Sequence, residues 1–206
     1  MKRLLIKKQG IYEYVSGKIL YALTRNRDIG RIDYLKCRLG LEILLLNISK
    51  LLIIYLLAYL FDILWQTIVF HFFYMVVRLK GYGAHFKSSL VCTCISCVLF
   101  VGAPYIIVNY YIFNNAVLFV LYISGFCILL RYASMGTAKN PVKRDRQAIF
   151  KKMTLINYLI SGLALMLIKS DLFINLAVLG LFSASILTLP ILTKSYELDQ
   201  QGFKNP

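Results

Sequence analysis

Long apolar blocks separated by short polar segments dominate the pattern of this 206-residue chain. The blocks lack the alternation of a half-buried strand, so they predict helices. At about 1.5 Å per residue, the second block covers only about 21 Å, whereas a hydrocarbon core measures about 30 Å. Pro104 predicts a kink in the third block. The six blocks are Leu41–Phe61, Leu64–Val77, Leu90–Val108, Ala116–Leu130, Met153–Ile168 and Leu172–Leu192.

The composition sets the class of protein. Hydrophobic residues make up 59% of the chain, charged residues only 16%, and mean hydropathy is +0.69. A soluble domain of this length needs more polar residues for its surface. We therefore predict an all-α integral membrane protein with about six transmembrane helices in a single membrane domain, residues 1–206. It comprises a basic amphipathic segment on the membrane surface (1–40), a six-span region (41–193) and a tail (194–206). The first segment lacks the apolar core of a signal peptide.

The basic residues test the number of spans. Of 24 Lys and Arg residues, ten lie in 1–38, three in 78–87, seven in 131–152 and two in 194–206. With six spans, all of these segments lie on one side of the membrane. By the positive-inside rule that side is the cytoplasm, so both termini are predicted to be cytoplasmic. The net charge of +15 would also suit nucleic acid, but its dispersal over several loops favours an anionic membrane, and we expect no nucleic-acid partner.

A histidine and a cysteine form the one constellation that suggests chemistry. His85 precedes the third block and Cys92 follows at its start. An imidazole next to a thiol is the minimum for covalent acyl transfer. On a continuous helix, seven residues would separate the two side chains by about 10 Å, which is too far for proton transfer. We therefore predict a bend near residues 87–89, which brings His85 over the helix start and is eased by Gly83.

Simpler interpretations of these residues remain open. Cysteine is common in apolar helices as a small hydrophobe. A zinc site built from His85, Cys92, Cys94 and Cys97 is disfavoured, because three cysteines on one straight helix cannot converge tetrahedrally, and we expect no metal and no cofactor. Lys50 inside the first block either snorkels or pairs with Glu42, or it lines a polar cavity.

The segment that contains these residues resembles a known family. The pattern Arg78…Gly83-Ala84-His85-(x)₂-Ser88-Ser89-(x)₂-Cys92 is similar to that of the accessory gene regulator B (AgrB) family. Supporting similarities lie in residues 37–47 and 132–141. Members of this family are membrane endopeptidases that process autoinducing-peptide precursors in Gram-positive quorum sensing, which implies a location in the bacterial cytoplasmic membrane.

The resemblance implies a cysteine endopeptidase. Cys92 would attack the precursor and form an acyl-enzyme thioester, with His85 as base and then as acid. An internal Cys or Ser of the precursor would then close a thiolactone or lactone ring. Arg78 would bind a substrate carboxylate or an oxyanion, and Gly83 would shape the loop.

The resemblance also implies partners. The substrate would be an AgrD-like precursor with an acidic C-terminal tail, and further partners would be membrane lipids and a second copy of the chain. The loop after the fourth block departs from the family pattern, since Ser134 replaces a proline and Lys139 stands apart from a lysine run. Which basic residues contact the substrate is therefore open. The candidate substrate-binding or loop-shaping residues are Arg78, Gly83, Ser88, Ser89, Glu42, Lys139, Lys143, Arg144 and Arg146.

Two other functions compete with the protease. In a small transporter or exporter of the peptide, His85 and Cys92 would merely line a path; in a scaffold they would have no chemical role. The chain has no Walker motif, no recognisable inverted repeat and few intramembrane charges for ion coupling. These features favour the enzyme.

Overall fold

Helices are the only regular elements in the part of the chain that the structure describes. The computed structural model describes residues 11–25, 30–79, 89–110, 113–133 and 144–189. The all-α prediction is confirmed for these residues. In chain order the elements are α1 (Ile11–Thr24), α2 (Arg31–Leu60), α3 (Leu64–Arg78), α4 (Ser89–Cys97), a π-helical segment (Val98–Gly102), α5 (Ala103–Tyr110), α6 (Asn115–Tyr132), α7 (Arg144–Leu165) and α8 (Asp171–Ile186).

The chain forms two compact units, residues 1–53 and 54–206. In the first unit α1 lies against the first part of α2. The hydroxyl groups of Tyr12 and Ser49 are 3.0 Å apart, and Arg38 Nη2 lies 3.4 Å from Glu13 Oε1. The second unit contains the end of α2 and helices α3–α8.

Among the residues that the structure describes, four helical stretches are long and apolar enough to cross a membrane: Arg31–Leu60, Val91–Tyr110, Asn115–Tyr132 and Arg146–Leu165. Helices α3 and α8 are shorter, with 15 and 16 residues. Many large apolar side chains point outward, including Leu52 (66% exposed) and Leu163 (65%). Hydrocarbon, not water, suits such a surface. The apolar helices therefore indicate a membrane protein, and the count of six spans stays a prediction.

Two helices begin earlier than the apolar blocks indicate. Helix α2 starts at Arg31 rather than Leu41, and α7 starts at Arg144 rather than Met153. A hydropathy block marks only the part of a helix that hydrocarbon can cover. The helix itself extends beyond the block through residues such as Arg, Lys, Gln and Ala, which favour helix. The predicted surface segment 1–40 and basic loop 131–152 therefore both contain the first turns of a long helix.

The helix ends carry the turn residues that the sequence indicates. Between the first two apolar blocks, Asp62 forms a left-handed turn with φ 56°, a conformation that Asp tolerates better than most residues. The Ile63 N–H donates to the Ala58 carbonyl, which closes the end of α2. Ser170 caps α8 by accepting from the Phe173 N–H. The π segment ends two residues before Pro104, where the helical hydrogen-bond pattern shifts because proline has no N–H to donate.

Helix α8 packs on α3 with the backbones almost touching. A Cβ at Gly180 would lie 2.5 Å from the Phe70 carbonyl oxygen and 3.3 Å from the Tyr74 nitrogen. Phe70, Val77 and Leu181 are fully buried in the second unit. Small residues allow such approach in membranes, where helices associate through packing rather than through exclusion of water.

Two tyrosines join α6 to α7. The Tyr122 hydroxyl donates to the Tyr158 carbonyl at 3.1 Å, and the Tyr158 hydroxyl donates to the Tyr122 carbonyl at 2.8 Å. Their rings stack at 4.7 Å between centroids. Asn175 on α8 acts similarly, since its Oδ1 accepts from the Phe113 N–H at 2.8 Å. Polar pairs of this kind give direction to packing that apolar contacts alone leave loose.

We predict that Gly180→Ala destabilises the protein by about 1–3 kcal/mol, because the added methyl group must displace the backbone of α3. Thermal unfolding in detergent measures the effect. Gly40→Ala is the matched control on α2, since a methyl group added there would meet no heavy atom within 4 Å. Equal unfolding temperatures for the two variants would contradict the close α3–α8 contact.

Candidate functional site

The residues predicted to form the site fall into two groups. The first group lies within the described helices: Glu42 on α2, Arg78 on α3, Cys92 on α4 and Arg146 on α7, with Ser89 and Arg144 as the first residues of α4 and α7. The other candidates lie outside the described residues: Gly83, His85, Ser88, Lys139 and Lys143. The predicted approach of His85 to Cys92 therefore stays a prediction.

Cys92 lies in the first turn of α4, which begins at Ser89. Its side chain is half-buried, and its carbonyl accepts a hydrogen bond from the Ser96 hydroxyl at 2.8 Å. The first turn of a helix has N–H groups without intrahelical partners and the positive end of the helix dipole. The oxyanion of a substrate bound there would be stabilised. Cys94 is exposed.

Arg78 lies in the last turn of α3 and faces Tyr74, one turn earlier. Its guanidinium carbon is 5.9 Å from the centroid of the Tyr74 ring. Its Nη1 is buried and has no hydrogen-bond partner within the described ranges. A buried guanidinium donor is well suited to a carboxylate or an oxyanion, which it can bind with charge assistance.

Tyr74 is the neighbour of Arg78 on one face of α3. Its phenol is buried, with only 8% of the residue exposed, and it lies within electrostatic range of both Arg78 and Cys92. Among the predicted site residues in the described ranges, these two are the ones whose charges reach this phenol.

An aromatic cluster holds Tyr74 in place. Its ring packs edge-on against Phe100 of the π segment at 4.8 Å, and the His71 ring lies 4.4 Å from the same phenylalanine. His71 Nδ1 is 2.8 Å from the Tyr55 hydroxyl. His71 is therefore a packed, hydrogen-bonded histidine. The cluster joins α2, α3 and the π segment within the second unit.

Sequence reasoning missed Tyr74. The residue stands inside an apolar block rich in aromatic side chains, so its type alone does not distinguish it. Its spacing from Arg78 was the available signal, since residues four apart share a helix face.

The remaining candidates are less closely connected. Glu42 is half-buried on the part of α2 that belongs to the first unit, and the described residues contain no ion pair between it and Lys50. Arg146 is exposed near the start of α7.

The three cysteines of the disfavoured zinc site form no metal centre with other described residues. Within the described ranges, no group of three His, Cys, Asp or Glu side chains is arranged to hold a metal ion. His85, the fourth proposed ligand, lies outside those ranges.

Comparison with known proteins gives the family. Residues 16–189 match accessory gene regulator B. A protein of Staphylococcus lugdunensis named accessory gene regulator protein B is 36% identical over 169 residues, covering 82% of this chain and 89% of the relative. Proteins of the same name from Staphylococcus aureus (strain bovine RF122 / ET3-1) and Staphylococcus haemolyticus (strain JCSC1435) are each 32% identical, with the same coverage. No solved structure matches the chain significantly. The chain belongs to the accessory gene regulator B family.

Proposed function

We propose that the chain is a cysteine endopeptidase of the bacterial cytoplasmic membrane that processes a quorum-sensing pro-peptide. It removes the C-terminal part of an AgrD-like precursor and promotes closure of a thiolactone or lactone ring. The observation that carries the proposal is Cys92 in the first turn of α4, within electrostatic range of Tyr74, in a chain of this family. At the N-terminal end of a helix, free N–H groups can stabilise the negative charge that develops when a thiol attacks a carbonyl.

The proposed topology has six spans and both termini in the cytoplasm. Helices α3 and α8 then cross the membrane with help from their flanking residues and from local thinning of the bilayer. Residues 79–88, with His85 and its basic neighbours, connect α3 to α4 on the cytoplasmic side. The support is the distribution of Lys and Arg, 22 of 24 of which lie in the four proposed cytoplasmic segments.

The first chemical step is cleavage. His85 accepts the thiol proton of Cys92, and the sulfur attacks the carbonyl carbon of the scissile peptide bond. A C–S bond forms, the C–N bond breaks, and His85 delivers its proton to the leaving amine. The products are the free C-terminal fragment and a thioester between Cys92 and the rest of the precursor.

The second step is ring closure. A thiol or hydroxyl group within the bound precursor attacks the thioester carbonyl, so that a new C–S or C–O bond forms while the bond to Cys92 breaks. The proton from the attacking group returns to the Cys92 sulfur through His85. Because the thioester keeps the acyl group activated, a thiolactone forms by exchange between similar bonds and needs no ATP.

Arg78 has the binding role in this scheme. Its guanidinium would bind the oxyanion at the attacked carbonyl or a carboxylate of the acidic tail, and the Tyr74 ring would hold it towards Cys92. The basic loop that contains Lys139, Lys143, Arg144 and Arg146 would attract the tail and raise the rate of encounter.

We predict that Cys92→Ser abolishes precursor cleavage in reconstituted vesicles, because a serine hydroxyl at this position is a much weaker nucleophile than a thiolate. Cys94→Ser is the matched control on the same helix and should keep most of the activity, since Cys94 is exposed and lies on another face. Electrophoresis of a labelled precursor measures cleavage.

A folded Cys92→Ser protein that still cleaves would remove the nucleophile from the proposal. If that protein instead moved uncleaved peptide across the vesicle membrane, the exporter would be the better description.

The Arg78 side chain should contribute to catalysis through its charge. We predict that Arg78→Gln lowers kcat/KM by about 100-fold, as loss of one oxyanion donor does in other proteases. Arg131→Gln is the matched control, since it removes the same charge from the exposed last turn of α6. This variant should change kcat/KM by no more than about twofold. Equal losses of kcat/KM in the two variants would indicate that Arg78 contributes only to the overall electrostatic field of the basic residues.

Tyr74 should act by positioning Arg78. We predict that Tyr74→Leu lowers kcat/KM by about tenfold, whereas Tyr74→Phe keeps the ring and most of the activity. In an Arg78→Gln background, Tyr74→Leu should cause little further loss, because the two side chains act as a unit. Fully additive losses in the double variant would contradict this coupling.

A further inference from the structure

The first unit contains a polar groove that the proposed activity does not use. It lies between α1 and the start of α2 and has a volume of about 310 Å³. Its walls carry two cations, one carboxylate and three phenol rings. These side chains are Lys18, Arg38, Glu13, Tyr14, Tyr21 and Tyr34.

The two cations are held at the groove by different contacts. Lys18 Nζ lies 4.6 Å from the centroid of the Tyr14 ring. The Arg38 side chain crosses Gly17, where its Nε would be 4.0 Å from an added Cβ. A larger residue than glycine would narrow the groove at this point.

Glu13 accepts hydrogen bonds from only some of the donors of the Arg38 guanidinium. Both hydrogen bonds from Arg38 to this residue use Nη2, at 3.4 Å to Oε1 and 3.5 Å to the backbone carbonyl. These bonds are long for a charged pair, for which about 2.7–2.9 Å is usual. A guanidinium has five donors in a planar fork, so it can bind a phosphate as well as this carboxylate.

The surface next to the groove is apolar and aromatic. Tyr21 is 65% exposed and Leu23 68% on α1, and Ile32 is 70% exposed on α2. Arg38 comes just before the apolar part of α2, so the groove lies where this helix leaves the hydrocarbon. Tyrosines and basic residues together are typical of the headgroup level of a membrane.

We propose that this groove binds the phosphate of an anionic glycerophospholipid, with Lys18 and Arg38 on the phosphate and the tyrosines against the glycerol region. A peptide tail is the less suitable occupant, because it would leave the adjoining apolar side chains uncovered. The site anchors the first unit at the membrane surface and does not depend on the proposed protease activity.

Binding is measured with the full chain in detergent by native mass spectrometry. The probes are short-chain phosphatidylglycerol, short-chain phosphatidylcholine and inorganic phosphate. We expect phosphatidylglycerol to bind at least about fivefold more tightly than phosphatidylcholine or inorganic phosphate, because only phosphatidylglycerol combines a net negative charge with an apolar part. Equal binding of inorganic phosphate would overturn the lipid assignment, as would displacement of the lipid by an acidic peptide at similar concentration.

Matched charge variants locate the site. Lys18→Gln should weaken phosphatidylglycerol binding about fivefold, whereas Lys36→Gln should leave it within about twofold. Lys36 carries the same charge on the same unit, but its side chain is 73% exposed outside the groove and pairs with Asp33 at 3.3 Å.

Glu13→Gln gives an effect of the opposite sign and guards against a simple loss of folding. It removes the competing carboxylate, so binding should tighten by about twofold or more. Equal weakening by Lys18→Gln and Lys36→Gln, or weaker binding by Glu13→Gln, would overturn the proposal.

Discussion

The close approach of α8 to α3 at Gly180 is the contact on which the candidate site depends. Helix α3 carries Tyr74 and Arg78, and its backbone at Phe70 lies directly against this glycine. On the α8 side, Phe73 packs edge-on against Phe173 at 5.9 Å. Tyr74 meanwhile packs against Phe100 of the π segment, so α3 is fixed from two sides. These contacts thus determine where the Tyr74–Arg78 pair lies.

Hydrocarbon around the helices makes such specific contacts necessary. Lipid tails are as apolar as leucine, so exclusion from water does not choose between alternative packings. In the second unit, three contacts favour one packing arrangement. Gly180 allows two helix backbones to cross closely, and Tyr122 and Tyr158 form reciprocal hydrogen bonds. Asn175, which is fully buried, bonds to Phe113. A polar group left unpaired there is costly, which favours one arrangement over others.

The sequence predicts where helices enter hydrocarbon better than where they begin. The starts predicted at Leu64, Leu90, Ala116 and Leu172 agree with the helices of the structure to within one residue, because a polar residue lies one or two positions before the helix in each case. The starts of α2 and α7 were placed too late, since hydropathy does not register helical turns outside the membrane. Cys92 could be selected by its residue type and its spacing from His85. Tyr74 could be selected only by its spacing from Arg78, because its residue type does not distinguish it in an apolar block rich in aromatic side chains.

The proposed chemistry depends on a thioester between Cys92 and the precursor. Its most direct test uses a precursor whose ring-closing residue is replaced by alanine, so that the second step is blocked and the intermediate accumulates. Mass spectrometry of the quenched enzyme should find the N-terminal precursor fragment attached to the peptide that contains Cys92, and hydroxylamine should release it. Cleavage of this precursor with no adduct on Cys92, or with the adduct on another residue, would contradict the account.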